Sequence, residues 1–140
     1  MSSNLTDVVD GIVYEPTQTE GPGLDLTLAD VSEVTAPGRV DFGGGELEAP
    51  DLRAVQTTRR HSDDDYEWYH LDSGQYLLAF NESLTTTDQS YWLQTRDAVR
   101  TAGAFHPSLR VTDLDPVPFS VGGEGIRLKE NARISTLLAL

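Results

Sequence analysis

YHLDSGQYLLAFNESLTTTDQSYWLQTRDAVRTAGAFHPSLR, residues 69–110, is the stretch whose reading decides the fold. Leu71 to Phe80 reads as a strand entered through a tight turn, Asp72-Ser73-Gly74, with Gln75-Tyr76-Leu77-Leu78-Ala79-Phe80 as its apolar run. A polar loop, Asn81 to Gln89, separates it from a second strand, Tyr91 to Thr95. The chain then turns through Arg96-Asp97-Ala98-Val99-Arg100-Thr101-Ala102-Gly103 to the apolar pair Ala104-Phe105. Ser90 to Ala102 is the one stretch where a helical turn fits. Arg, Asp, Gly and His crowd the end of this segment, so one wall of a site is expected here.

Working outward, Gly11 to Tyr14 reads as a strand, followed by Pro16 and a polar run. Gly21-Pro22-Gly23 makes a tight turn into Leu24, Leu26 and Leu28, which alternate with Asp25 and Thr27. This period-two pattern points the leucines to one face and Asp25 and Thr27 together to the other. Ala29 to Val34 continues the strand, and Arg39 to Phe42 and Glu46 to Pro50 flank a Gly43-Gly44-Gly45 hairpin turn. Leu52 and Val55 suggest a short strand. The Asp63-Asp64-Asp65 triplet offers oxygens to a hard cation, but lacks the glycine and closing Glu of a calcium loop. It reads as a solvated acidic loop, and no metal site is expected. Leu109 to Val111, Val117 to Val121 and Ile126 onward to Leu140 supply further strands. Many short strands punctuated by Gly, Pro, Asn and Asp predict an all-β sandwich or barrel with at most short helical turns. A single domain is expected over 1–140, with 1–20 as an N-terminal extension carrying one strand.

Composition narrows the function. The formal net charge is −13, and Lys129 is the only lysine. Such a surface repels nucleic-acid backbones, whose binding rests on phosphate neutralisation by Lys and Arg. Acidic residues spread along an otherwise apolar-rich chain fit a salt-adapted cytoplasm, where concentrated cations screen self-repulsion. With no cysteine, thiol catalysis and sulfur-ligated metals are excluded. No apolar run reaches membrane-span length, and MSSNLTDVVDG lacks the basic start and apolar core of a signal peptide. A cytoplasmic protein is expected.

Five segments, in order, resemble the dUTPase and dCTP deaminase superfamily. GPGLDLTL (21–28) is similar to a first motif in which Gly precedes an Asp framed by apolar residues. LDSGQYLLAF (71–80) resembles the L-x-P-G-x-x-x-L strand, with Ser73 in the proline position. TRDAVRTAG (95–103) is similar to Gly-Arg-Ser-Ser-Leu and its turn to Gly, and AFHPSLR (104–110) to an apolar pair followed by Asp-x-Gly-Tyr. LKENARISTL (128–137) resembles Pro-Gly-x-Arg-Ile-Ala-Gln-Leu. The resemblance covers about 21–140 and implies a dUTPase-like β-barrel of the β-clip type, assembled as a homotrimer. It also implies a pyrimidine deoxynucleotide ligand, and with the acidic composition the chain reads as a divergent member from a salt-adapted archaeon.

The same resemblance implies that Arg96 meets phosphate, with Asp97, Arg100, Gly103 and Asp25 around the nucleotide. The two motif serines become Asp97 and Ala98, which removes hydroxyl donors and adds a carboxylate beside bound phosphates. The water-ordering Asp falls on His106, the candidate catalytic base. The glycine and tyrosine of the uracil pocket fall on Ser108 and Leu109, the closing-motif Gln on Thr136, and the deaminase Glu near Val117, with Asp115 and Glu124 close by. The sequence is read as ending at Leu140 without the glycine-rich tail that covers substrate in dUTPases. With these positions changed together, the favoured expectation is a non-catalytic trimeric scaffold or nucleotide-binding homologue. An active paralogue is its conceivable partner. The alternatives are a divergent dUTP diphosphatase or dCTP deaminase, which would use Mg²⁺ (no other cofactor is expected), and an acidic interaction protein.

Overall fold

Residues 5–140 are described in a computed structural model. The strands are β1 (Val9–Asp10), β2 (Leu24–Ala36), β3 (Asp51–Ala54), β4 (Trp68–Leu71), β5 (Gly74–Phe80), β6 (Ser83–Leu84), β7 (Tyr91–Thr95), β8 (Ala104–Phe105), β9 (Leu109–Val111), β10 (Val117–Val121), β11 (Ile126–Lys129) and β12 (Arg133–Ala139). Two short helices, α1 (Glu15–Gln18) and α2 (Asp97–Ala102), join them. The all-β expectation holds.

One antiparallel path runs β8-β10-β5-β2-β12-β7-β9, with β3 added to the far half of β2. The pairs β1–β6 and β4–β11 form separate two-stranded sheets. β2 is the common strand. Its first half pairs with β12, the register shifting between Arg133 and Ser135, and its second half pairs with β5 and β3. Leu26, Leu78, Leu93, Phe119, Ile134 and Leu137 are completely buried and form the centre of the core. The chain just past β8, one end of the path, meets β7 near the other end without a ladder. Thr95 Oγ1 accepts from the His106 amide at 2.9 Å and donates to its carbonyl at 3.0 Å, so one side chain stands in for a strand partner.

Four local expectations change. The first strand is Val9–Asp10 rather than Gly11–Tyr14, because the Val13 and Tyr14 amides donate to the Gln18 side chain, not to a strand. Trp68–Leu71 is a strand of its own paired with β11, and Ser83–Leu84 inside the polar loop pairs with β1. The helical turn expected within Ser90 to Ala102 is α2. Both faces of β2 are covered at its start, so Asp25 and Thr27 are as buried as the leucines. Met1 to Asn4, the start of the expected extension, lie outside the described residues.

Glu82 holds that second face. Its carboxylate is buried and accepts from the Thr27 amide (2.8 Å), the Thr27 hydroxyl (2.7 Å) and the Gln18 side-chain amide (2.9 Å). Gln18 also donates to the Asp25 carbonyl at 2.8 Å, which ties α1 to β2. A buried carboxylate is tolerable only with such donors around it. Glu82→Ala strands three of them, so urea unfolding should show a loss of about 3 kcal/mol. Arg53→Ala, which breaks an exposed pair with Glu33, should cost less than about 1 kcal/mol.

Candidate functional site

Gly23 makes the site possible. A Cβ there would lie 2.2 Å from the Leu137 carbonyl oxygen, so only glycine lets residues 20–25 lie directly over β12. The register then sets Thr136 opposite Asp25. Cross-strand partners share a face, and the Thr136 hydroxyl donates to Asp25 Oδ1 at 2.9 Å. Arg133 Nη1 donates to Asp25 Oδ2 at 3.0 Å and to the Thr17 carbonyl at 3.2 Å. It also reaches Glu20 Oε1 at 3.5 Å. Arg96 Nε lies 3.4 Å from the same Asp25 Oδ2, and its Nη1 donates to the Arg133 carbonyl at 3.3 Å. Asp25 is 4 % exposed, while the arginine side chains keep about a quarter of their surface, 25 % for Arg96 and 28 % for Arg133. The carboxylate is the floor and the arginines are the walls.

Arg96 is placed by backbone. Its amide bonds the Ile134 carbonyl at 2.9 Å, and its extended φ of −65° and ψ of 147° start α2. Within α2, Asp97 pairs with Arg100. Gly103 ends the helix at φ 111°, a left-handed conformation natural to glycine, and turns the chain into β8.

Two adjoining clefts result. The first, of about 460 Å³, is lined by Glu20, Asp25, Arg96, Asp97, Arg133 and Thr136 among others. The second, of about 590 Å³, is lined by Arg100, Gly103, Phe105, His106 and Ser108 among others. Gln94, Thr95 and Asp97 line both. Asp25, Arg96 and Asp97 thus share one cleft, and Asp97, Arg100, Gly103 and His106 the other. Arg96 pairs with Asp25, not with the neighbouring Asp97. Sequence reading passed over Arg133 and Glu20. The available signal was Arg133 itself, which stands at the arginine of the Pro-Gly-x-Arg-Ile-Ala-Gln-Leu pattern. Among the described residues, no group of three or more His, Asp or Glu side chains is placed to hold a metal ion.

His106 is 3 % exposed, and both ring nitrogens are engaged. Pro107's carbonyl can only accept, so Nδ1 carries the proton and donates to it at 2.7 Å. Nε2 therefore accepts from the Ser135 hydroxyl at 2.6 Å, and Ser135 is completely buried. Burial pushes the His106 pKa below the ordinary histidine value, against a smaller upward pull from the Pro107 carbonyl. The unfolded chain binds this proton more tightly than the folded one. The stability that neutral His106 contributes is therefore present above about pH 6.5 and lost as pH falls from there toward its lowered folded value. His61 and His70 are exposed. Urea unfolding at steps from pH 7.5 to 5.5 should show the wild type losing stability relative to His106→Asn, with parallel curves contradicting the assignment.

No family model matches the chain. It is 31 % identical over 129 residues to a probable deoxyuridine 5′-triphosphate nucleotidohydrolase of Methanosarcina acetivorans, covering 87 % of this chain and 71 % of that relative. A protein of the same description from Methanosarcina barkeri is 29 % identical over 136 residues, with the same coverages of 87 % and 71 %. The Methanosarcina mazei counterpart is 31 % identical over 75 residues, 54 % of this chain and 40 % of the relative. Similarity of this extent, on an all-β fold built from short strands, places the chain in the dUTPase family.

Proposed function

We propose that this protein is a dUTPase homologue that binds a pyrimidine deoxynucleotide without hydrolysing or deaminating it, and assembles as a homotrimer. The observation that carries this reading is the commitment of every buried acid or base facing the clefts. Asp25 spends both oxygens on Thr136, Arg133 and Arg96. His106 spends its basic nitrogen on Ser135. A general base needs a free lone pair within hydrogen-bond reach of the water it activates. Glu20 and Asp97 remain, but both are open to solvent.

Binding chemistry survives better. Arg96 and Arg133 offer guanidinium edges to phosphate oxygens in the first cleft. The adjoining second cleft has Phe105 for a ring. Glu20, Asp25 and Asp97 oppose those cations. Mg²⁺ would have to arrive on the triphosphate's own oxygens, the usual way this ion is presented. Exposed Trp92, Phe105 and Leu140 supply apolar surface for a trimer contact, Trp92 on β7 and Leu140 just past the end of the adjacent β12.

A second reading, a divergent dUTP diphosphatase using His106 as base, draws on the relatives' names and on the place of His106 beside the second cleft. Incubation with dUTP or dCTP and Mg²⁺ at high salt separates the two. The expected outcome is no pyrophosphate and no ammonia, but a melting temperature raised by dUTP in the wild type and not in Arg96→Ala. Turnover abolished by His106→Ala would establish the second reading instead.

A further inference from the structure

On the far side of Arg133 from the clefts just described lies a cavity of about 380 Å³ with a different lining. Its size falls within the range of about 300–1,000 Å³ usual for small-molecule sites. Val13 and Tyr14 form one part of its wall, and Tyr66 and Lys129 another, with Gln18, Thr27 and Ala132 beneath. Val13, Tyr14 and Tyr66 are three of the large apolar side chains left exposed in this chain, at 49 %, 62 % and 51 %, and all three border this one opening.

The frame is rigid. The Val13 and Tyr14 amides donate to the side-chain oxygen of buried Gln18 at 2.9 and 2.8 Å, and the Gln18 side-chain amide donates in turn to the Asp25 carbonyl and to Glu82. Across the opening, Asn131 holds a left-handed φ of 60° and its carboxamide oxygen accepts from Asn81 at 2.8 Å. That leaves the Asn131 amide nitrogen as a donor. Lys129 Nζ, the only lysine ammonium of the chain, sits 4.3 Å from the centre of the Tyr66 ring. Arg133 adds a guanidinium to the same lining. Glu130, the one acidic lining residue, has an oxygen accepting the Glu67 amide at 2.9 Å.

An aromatic face beside an ammonium, an amide and a guanidinium selects for a flat ring carrying an acidic group: the ring packs against Tyr14, and the acid receives the donors, the Lys129 ammonium being held over the Tyr66 ring. The geometry points to a second binding site, formed by Tyr14, Tyr66, Lys129 and Asn131, for a one- or two-ring aromatic carboxylate or phosphate ester. Arg133 lines both this cavity and the Asp25 cleft, so occupancy here bears on the guanidinium that Asp25 holds. The site stands independently of the nucleotide reading, because it shares only Arg133 with that cleft.

Titration of ¹⁵N-labelled full-length protein with indole-3-acetate tests this, with indole and acetate as separate controls. The expected result is saturable movement of the Val13, Tyr14, Lys129 and Asn131 amide signals. Affinity should fall at least fivefold in both Tyr66→Ala and Lys129→Met, and neither control should match the acid-bearing ring. Both substituted side chains are exposed, and Tyr14→Ala provides a third variant. Absence of saturable shifts at those amides would overturn the proposal. So would shifts that persist unchanged in all three variants. Phenyl phosphate in place of indole-3-acetate tells whether carboxylate or phosphate is preferred, the tighter of the two naming the acid.

Discussion

A buried carboxylate between two strands organises this molecule's concave side. Asp25 sits on β2 opposite Thr136 of β12, and a single oxygen is shared by Arg133 and Arg96. Removing an acid from water costs several kcal/mol, roughly, unless charge and hydrogen bonds replace the lost hydration. Here the replacement is provided by two guanidiniums and a hydroxyl. The same contacts hold the arginines at the cleft walls, because either one swinging outward removes one of the two cations paired with Asp25. Backbone does the rest: Gly23 permits the close approach, and the Arg96 amide is held by Ile134.

On the proposed reading, this arrangement explains why binding and hydrolysis part company. Both oxygens of the Asp25 carboxylate are engaged, by two arginines and a hydroxyl, and protonation of His106 meets the cost of burial. Where the family pattern has paired serines after the motif arginine, Asp97 turns instead to Arg100 within α2. The result is a stiff, charge-balanced cleft. Its cations are available at their edges, and its bases are engaged in holding the fold. The sheet closure depends on the same residues, since Thr95 grips the His106 backbone while Ser135 grips its ring.

Much of the fold was legible because period-two burial writes itself into sequence. Tyr91 to Thr95 alternates buried and exposed along its whole length, and Val117 to Val121 nearly so. The leucines of β2 were equally plain, but the burial of Asp25 and Thr27 was not. It depends on Gln18 and Glu82, which the chain brings in from elsewhere. Two-residue strands such as β1 and β6 have no period to read, and α2 is too short to show one. The clefts were half legible. Arg96, Asp97, Arg100, Gly103 and His106 lie close together in sequence, so local crowding revealed them. Arg133 is 108 positions from Asp25 and stands opposite Thr27 in the register, so nothing local marks a pairing made diagonally between β12 and β2.

The most direct test of the account is a double-mutant cycle on Asp25 and Arg133, using Asp25→Asn, Arg133→Met and the double variant in equilibrium urea unfolding at high salt. The account predicts a coupling of at least about 1 kcal/mol, with the double variant losing less than the sum of the single losses. Additivity to within about 0.3–0.5 kcal/mol, the scatter expected of independent sites, would mean that the carboxylate does not hold this arginine, and the explanation of the site built on it would fail.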